Sequence, residues 1–218
     1  YEVFIMEKKY KGIIFDLDGV ICHTDMYHYK AWKAIAEKLQ IPFDEKKNNL
    51  LRGISRAESL DIILSGSSLK LTEREKNSLT EEKNNIYRDM LSKMSESDID
   101  TETKNMLITL KKKYMLAVAS SSKNALYILQ KLKIDILFNV IVQGSDINYS
   151  KPHPEVFMLA SEKMKLKSKE CLVVEDSKSG VIAALAGGFD CAGLGDASKL
   201  NCTTYPIKNL KNIEAILL

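Results

Sequence analysis

Residues able to do chemistry gather in four short clusters. Asp16 and Asp18 flank Leu17 and precede Gly19. Ser120, Ser121 and Ser122 run into Lys123 and Asn124. Lys151 lies in Ser150-Lys151-Pro152-His153-Pro154, and Glu175 and Asp176 are adjacent. Each cluster follows an apolar run, directly or, for Lys151, by a loop. Three or four carboxylates brought to one edge would repel one another unless a cation neutralised them, and hard oxygen ligands favour Mg2+. Such a site beside a lysine and hydroxyl groups suits a phosphoryl group, whose anionic oxygens need those partners. Taken singly, each cluster has a plainer reading. An aspartate pair after a strand can serve as a turn or helix cap, the serines as a capping turn, and Lys151 as a solvated lysine. Their shared position after successive apolar runs is what argues for a common site.

The elements that must position these residues follow from periodicity. Residues 12–15, 115–119, 139–142 and 171–174 are short apolar runs that read as buried strands. Residues 190–194 and 203–205 read as edge strands. Between them, Leu107 and Leu110, then Leu126, Leu129 and Leu132, then residues 155–164 and 179–186 carry helical spacing. Lys111, Lys112 and Lys113 suit a helix C-terminus, and Gly187-Gly188 a helix stop. Alternating strands and helices predict parallel βαβ units, with continuous apolar strands covered on both faces. The expected fold is therefore α/β, a doubly wound, mostly parallel Rossmann-like core sheet. Ligands of such sheets bind outside the carboxyl ends of the strands, where all four clusters fall.

Residues 23–94 carry helices only. Trp32, Ile35, Ala36 and Leu39 mark one, with Pro42 as its expected stop; Ser59, Leu60, Ile63 and Leu64 mark a second, ending near Gly66. Thr72-Glu73-Arg74-Glu75 reads as the cap of a third, whose charged run from Glu73 to Lys83 predicts a solvated face. The chain thus divides into a discontinuous core, residues 1–22 with 95–218, and an inserted α-helical cap, residues 23–94. This division accounts for a length of 218 residues, awkward for one compact core.

A net charge of +3 excludes a strongly basic nucleic-acid binder as the default. A hydrophobic content of 45% allows a sizeable core, and no apolar run is long enough to cross a bilayer. Cys22, Cys171, Cys191 and Cys202 lack metal-site spacing and read as reduced, mostly buried thiols, which points to the cytoplasm. The start is apolar only over residues 1–5, with Lys8, Lys9 and Lys11 after it, the wrong order for a signal peptide. Met6 is a candidate initiator, residues 1–5 then being an upstream read-through or an added remnant.

Phe15-Asp16-Leu17-Asp18-Gly19-Val20 resembles the first motif of the haloacid dehalogenase-like superfamily. Ala119-Ser120 is similar to its second motif, Lys151-Pro152 to its third and Val174-Glu175-Asp176-Ser177 to its fourth. The likeness runs from Lys11 through nearly the whole chain. It implies that Asp16 is the nucleophile that becomes an aspartyl phosphate. Asp18 would be general acid and base, and would also give its backbone carbonyl to Mg2+. Asp16 and Asp176 would be direct metal ligands, with Glu175 a ligand directly or through water. Ser120 and Lys151 would hold the transferring phosphoryl group.

A narrower likeness is to the β-phosphoglucomutases within that superfamily. Thr24-Asp25-Met26-Tyr27-His28-Tyr29-Lys30-Ala31-Trp32 is similar to the segment that opens their cap. Arg52-Gly53-Ile54-Ser55-Arg56-Ala57-Glu58-Ser59-Leu60 resembles their specificity loop, and Ser120-Ser121-Ser122-Lys123-Asn124 their phosphate-binding turn. By this likeness Arg56 binds the distal phosphate, with Ser122, Lys123 and Asn124 as core contacts. Gly53 and Ile54 offer backbone contacts to the sugar, and Lys83 falls where the family carries a cap lysine. Thr24 and His28 position Asp18 as the cap closes, and Trp32 lies near the sugar pocket as well as in the cap core. Two departures bear on the hinge: His23 replaces the family's frequent Asp, and Asp100-Thr101-Glu102-Thr103 stands where Pro-Gly is common.

The implied activity interconverts β-D-glucose 1-phosphate and glucose 6-phosphate through β-glucose 1,6-bisphosphate. A bisphosphate presented by either end needs a second anion site, which Arg56 can supply, and a closed cap to exclude water. The partner would be a small sugar phosphate, with no nucleic acid or membrane, and the protein a monomer. Two alternatives stand beside it. A Mg2+-dependent sugar-phosphate phosphatase would use the same core and release phosphate steadily. A receiver-like signalling module, phosphorylated on aspartate, would need no lid over it.

Overall fold

The computed structural model describes residues 9–217, so the reading of Met6 and residues 1–5 lies outside the described residues. The core strands are β1 (Gly12–Phe15), β2 (Met115–Ala119), β3 (Val140–Val142), β4 (Cys171–Glu175), β5 (Asp190–Gly193) and β6 (Tyr205–Pro206). They form one sheet in the order β3-β2-β1-β4-β5-β6, and every neighbouring pair is parallel. The helices are α1 (Asp25–Lys38), α2 (Glu45–Asn49), α3 (Arg56–Leu64), α4 (Glu73–Ser92), α5 (Thr101–Lys111), α6 (Ala125–Lys131), α7 (Glu155–Lys163), α8 (Lys178–Ala186) and α9 (Ile213–Ile216). The strand order turns back at β1, which has β2 on one side and β4 on the other. That reversal opens a crevice at the carboxyl ends of those strands.

Alternation along each strand divides the core between two faces. Ile13, Phe15, Leu116, Val118, Leu172 and Val174 pack with Leu107 and Leu110 of α5 and Ile128 and Leu129 of α6. Ile14, Ala117, Ala119, Cys171 and Val173 face the other way, onto Val156, Phe157 and Ala160 of α7 and Val181 and Ala184 of α8. Burial on both faces is why these strands read as unbroken apolar runs.

Helices α1 to α4 lie between β1 and β2 in sequence and build a separate apolar cluster. It joins Trp32, Ile35 and Ala36 of α1 to Leu60 and Ile63 of α3 and Leu79 of α4. The far end of α4 leaves that cluster: Tyr87 and Leu91 pack into the sheet-side core. One helix therefore ties the insertion to the sheet.

Local chemistry fixes the helix ends. Thr72 and Glu75 form the expected capping box at α4, and Ser55 and Glu58 form a second at α3. Asp100 accepts from the Thr103 backbone N–H at 2.7 Å and so starts α5 where the resemblance implies Pro-Gly. Two expectations need correction. Helix α1 ends at Lys38, before Pro42, because Gln40 turns left-handed at φ 57°. The run from Glu73 to Lys83 is not solvated throughout, since Lys83 is buried. Its side chain points inward on the same face as Leu79 and Tyr87, four residues to either side. Cys22, Cys171 and Cys191 are buried, Cys202 is exposed, and all four are free thiols.

Leu60 is fully buried at the centre of the cap cluster. Leu60→Ala should destabilise the cap by about 2–5 kcal/mol, through lost burial and the cavity left behind. Urea denaturation measures this, and a loss below about 1 kcal/mol would contradict a cap held by one shared core.

Candidate functional site

The crevice holds a cavity of about 280 Å3. The core contributes Asp16, Asp18, Ser120, Ser122, Lys123, Asn124 and Asp176 to its lining, and the cap contributes His28, Trp32, Gly53, Ile54, Arg56 and Lys83. The four core clusters come together because β3, β2, β1 and β4 are successive parallel strands of the sheet. Their carboxyl ends then point the same way, and the following residues emerge at one edge.

Lys151 is fully buried and is the electrostatic centre of the core half. Its Nζ donates to Asp16 Oδ1 in a short ion pair and to Glu175 Oε1 at 2.6 Å. Burial opposes its charge, but the two carboxylates outweigh that and raise its pKa. Glu175 is saturated. Its Oε2 accepts the backbone N–H of Asp176 at 2.8 Å, that of Ser177 at 2.7 Å and the Ser177 hydroxyl at 2.9 Å. With both oxygens held by protein donors, Glu175 suits the water-mediated alternative better than direct ligation.

The remaining acids carry more negative charge than the core cations neutralise. Burial pushes Asp16 up to about 7, with Glu175 and Asp18 adding to the effect and Lys151 opposing it. Burial, Glu175 and Asp16 push Asp176 up to about 9. Burial raises Asp18 to about 6, and the Thr24 hydroxyl bond opposes that rise. Asp176 finds its cation on the cap. Arg52 makes a short ion pair with it and lies 3.4 Å from Asp25 and 3.9 Å from Asp196. Among the described residues no three acidic, histidine or cysteine side chains converge into a ready-made metal cluster. Even so, the donors facing the crevice are all hard oxygens, with a surplus of buried negative charge. That donor set fits Mg2+, with Asp16, Asp176 and the Asp18 carbonyl as the groups to hold it.

Asp18 is positioned by the cap-opening segment. Thr24 is fully buried and donates a short hydrogen bond to Asp18 Oδ1. The Tyr87 hydroxyl donates to Thr24 Oγ1 at 3.1 Å, so α4 supports this contact from behind. His28 Nε2 lies 3.9 Å from Asp18 Oδ2 and its Nδ1 lies 2.8 Å from Lys83 Nζ. Its ring stacks on Tyr87 with centroids 4.1 Å apart. Burial, with Lys83 and Arg56 nearby, holds the His28 pKa well below its usual value. A neutral ring accepts from Lys83 at Nδ1 and keeps its N–H at Nε2, towards Asp18.

Lys83 is the cap counterpart of Lys151, but it has no carboxylate within ion-pairing distance among the described residues. Burial and Arg56 lower its pKa to about 7. Its Nζ lies 5.1 Å from the Trp32 ring and 4.6 Å from that of Tyr87, so aromatic faces take part of its charge. Trp32 belongs both to the cap core and to the cavity wall.

The serine turn after β2 is built on itself. Ser120 Oγ accepts the Ser122 N–H at 3.1 Å, and Ser122 Oγ accepts the Asn124 N–H at 3.2 Å. The Asn124 amide crosses to the cap and donates to Asn84 at 3.0 Å. Arg56 lines the same cavity, with its Nη1 3.2 Å from Glu81 and 3.4 Å from the Thr80 carbonyl.

Most of the expected site residues line this cavity, whereas Thr24, Lys151 and Glu175 are buried behind it, and sequence reasoning leaves Arg52, Tyr87, Ser121 and Ser179 without a role. For Tyr87 a signal existed, the four-residue step from Lys83 on one helix. For Arg52 it was adjacency to Gly53. Ser179 gave none.

Comparison with known proteins agrees with this geometry. Over 211 residues the chain is 38% identical to a β-phosphoglucomutase of Bacillus subtilis, covering 95% of this chain and 93% of that one. It is 29% identical over 181 residues to a phosphorylated carbohydrates phosphatase of Thermotoga maritima, covering 83% and 82%. The crystal structure of a β-phosphoglucomutase from Clostridium difficile superposes with a TM-score of 0.89 at 33% identity, covering 95% of each chain. Residues 13–194 match the family model of the haloacid dehalogenase-like hydrolases, and an aspartate pair, a serine turn, a buried lysine and an acidic pair at adjacent strand ends place the chain in that enzyme family.

Proposed function

We propose that the protein is a β-phosphoglucomutase. It would interconvert β-D-glucose 1-phosphate and glucose 6-phosphate through an aspartyl-phosphate enzyme and β-glucose 1,6-bisphosphate. The observation that carries this reading is the two-sided cavity, with a nucleophile and its lysine at one end and Arg56, on the cap, available for a second phosphate.

An Asp16 oxygen attacks the phosphorus of one phosphate group. The bond from phosphorus to the sugar oxygen breaks, and Asp18 gives that oxygen a proton. In the reverse sense Asp18 takes the proton from the attacking sugar hydroxyl as phosphorus leaves Asp16. A pKa near 6 leaves Asp18 able to serve in both directions near neutrality. Thr24 and His28 hold its carboxyl in place. Lys151 and Ser120 draw negative charge from the transferring group. Mg2+, when bound, would supply further charge neutralisation at the phosphoryl oxygens. Arg56 with Ser122, Lys123 and Asn124 grips the distal phosphate, and Arg56 exchanges its Glu81 contact for that group. Lys83, Gly53 and Ile54 face the sugar between the two ends. Three buried free thiols support a cytoplasmic location, helices over both faces of the sheet support a monomer, and among the described residues no helix is long and apolar enough to cross a membrane.

The phosphatase reading uses the same core, so the product decides. Purified protein is given Mg2+, β-glucose 1-phosphate and a trace of the bisphosphate. Glucose 6-phosphate without matching free phosphate is the expected result, and dominant phosphate release would sink the mutase reading. Asp16→Asn should reduce turnover to background. Arg56→Ala should lower kcat/KM for the mutase about 10- to 150-fold, the loss of roughly 1.5–3 kcal/mol of charge-assisted bonding.

Lys83 gives a separate prediction. The folded state holds its proton only below about 7, whereas the unfolded chain holds it up to about 10.5. Between those values the unfolded state binds more protons, so this group makes stability rise with pH. Lys83→Met removes the term. Relative to the unmodified protein it should be more stable at pH 7 and lose that advantage towards pH 10.5, as followed by urea denaturation across the window. A constant difference would contradict the burial argument.

A further inference from the structure

The cap loop between α2 and α3 rests on the core through two hydroxyl groups that the proposed chemistry does not use. The Ser121 hydroxyl, in the turn after β2, donates to the Gly53 carbonyl at 2.9 Å. The Ser179 hydroxyl, in the first turn of α8, donates to the Arg52 carbonyl at 2.9 Å. Two consecutive peptide carbonyls of the cap are therefore held by two separate core elements, the turn after β2 and the first turn of α8. The Arg52 guanidinium ion-pairs with Asp176 beside them. Gly53 makes the approach possible. Its φ is +78°, and a Cβ there would lie 2.4 Å from Ser179 Oγ and 2.9 Å from Ser177 Oγ. No side chain other than hydrogen fits between this loop and the two serines.

We infer that Ser121 and Ser179 are positioning residues that clamp the Arg52–Gly53 peptides to the core and so keep water from the phosphorylated Asp16. The inference rests on the phosphoryl-transfer reading. The clamp seats Arg52 and Gly53 in the cavity wall, with Arg52 on Asp176, and carries the loop that leads into Arg56. Backbone carbonyls are suitable handles because their position does not depend on a side-chain rotamer. A loop fixed by two of them holds Gly53 and Ile54 at a set height over the sugar. When the clamp is released, the cap opens more often and water competes with the sugar hydroxyl for the aspartyl phosphate. Phosphorus then passes to water, Asp16 is regenerated, and inorganic phosphate leaves in place of the isomerised sugar.

Ser121→Ala, Ser179→Ala and the double variant test this against the unmodified protein. Hydrogen exchange of residues 50–56 should be about fivefold faster in each single variant and about twenty-fivefold faster in the double, from one ordinary hydrogen bond each. Exchange in the sheet and the melting temperature should not move. Free phosphate released per glucose 6-phosphate formed should rise in the same order, a change in partition that a merely structural role would not produce. Exchange in the double variant within about twofold of the unmodified protein overturns the clamp. So does faster exchange spread over the whole cap with a lowered melting temperature, and so does an unchanged partition in a protein that transfers phosphate. If the unmodified protein releases phosphate on every turnover, the mutase reading fails by itself. The exchange at residues 50–56 then still decides whether the clamp exists.

Discussion

Four buried or nearly buried carboxyl groups at one edge of a parallel sheet are the constraint around which this molecule is arranged. Asp16, Asp18, Glu175 and Asp176 stand within three residues of the ends of β1 and β4, two adjacent strands. Left alone they would repel, and burial would make each charge costly. The chain answers with a fully buried Lys151 shared by Asp16 and Glu175. One lysine does not balance four acids, and this deficit adds to burial, the main cause, in raising the pKa values of Asp16, Asp18 and Asp176. That deficit is what makes the edge receptive to a divalent cation and able to move a proton near neutrality.

The same imbalance explains why the cap is more than a cover. Arg52 brings a cation down to Asp176, and His28 and Thr24 reach Asp18 from the start of α1. Helix α4 carries Lys83 and Tyr87 on one face, with Tyr87 buried in the sheet-side core and Lys83 in the cavity. Asp18 is therefore held by elements that meet only when cap and core are together. Positioning and closure become one event, since the residues that orient Asp18 belong to the part that shuts out water.

Much of this was readable in the sequence because its signals were local. Apolar runs ending in charged or hydroxyl residues gave β1, β2, β3 and β4, and helical spacing with capping residues gave α1, α3 and α4. Helix α2 was not legible. It has five residues, none of them buried, so no apolar period marks it. The end of α1 was misread because Pro42 is a visible breaker, whereas a left-handed Gln40 leaves no composition signal. Lys83 was half-read. Charge placed it on a solvated face, family likeness placed it in the site, and burial between Trp32 and Tyr87 decides for the site. The contacts of Arg52 and of the two clamping serines were not legible for another reason. Their partners are backbone carbonyls and an acid more than sixty residues away in sequence, and such pairings exist only after cap and core have docked.

The division of labour between the parts also locates the choice of reaction. Nothing about Asp16, Lys151 or the Glu175 network distinguishes a sugar hydroxyl from water as the acceptor of the phosphoryl group. Both acceptors need the same nucleophile, the same proton carrier and the same charge neutralisation. Discrimination must come from residues that fix the sugar and from contacts that hold the cap shut. Those lie on α1, on the Arg52–Arg56 loop and on α4. A substitution in the core should therefore scale both outcomes together, while one in the cap or its seat on the core shifts their ratio. On the proposed function, the haloacid dehalogenase-like core would supply the chemistry, and the inserted helices would determine which acceptor receives the phosphoryl group.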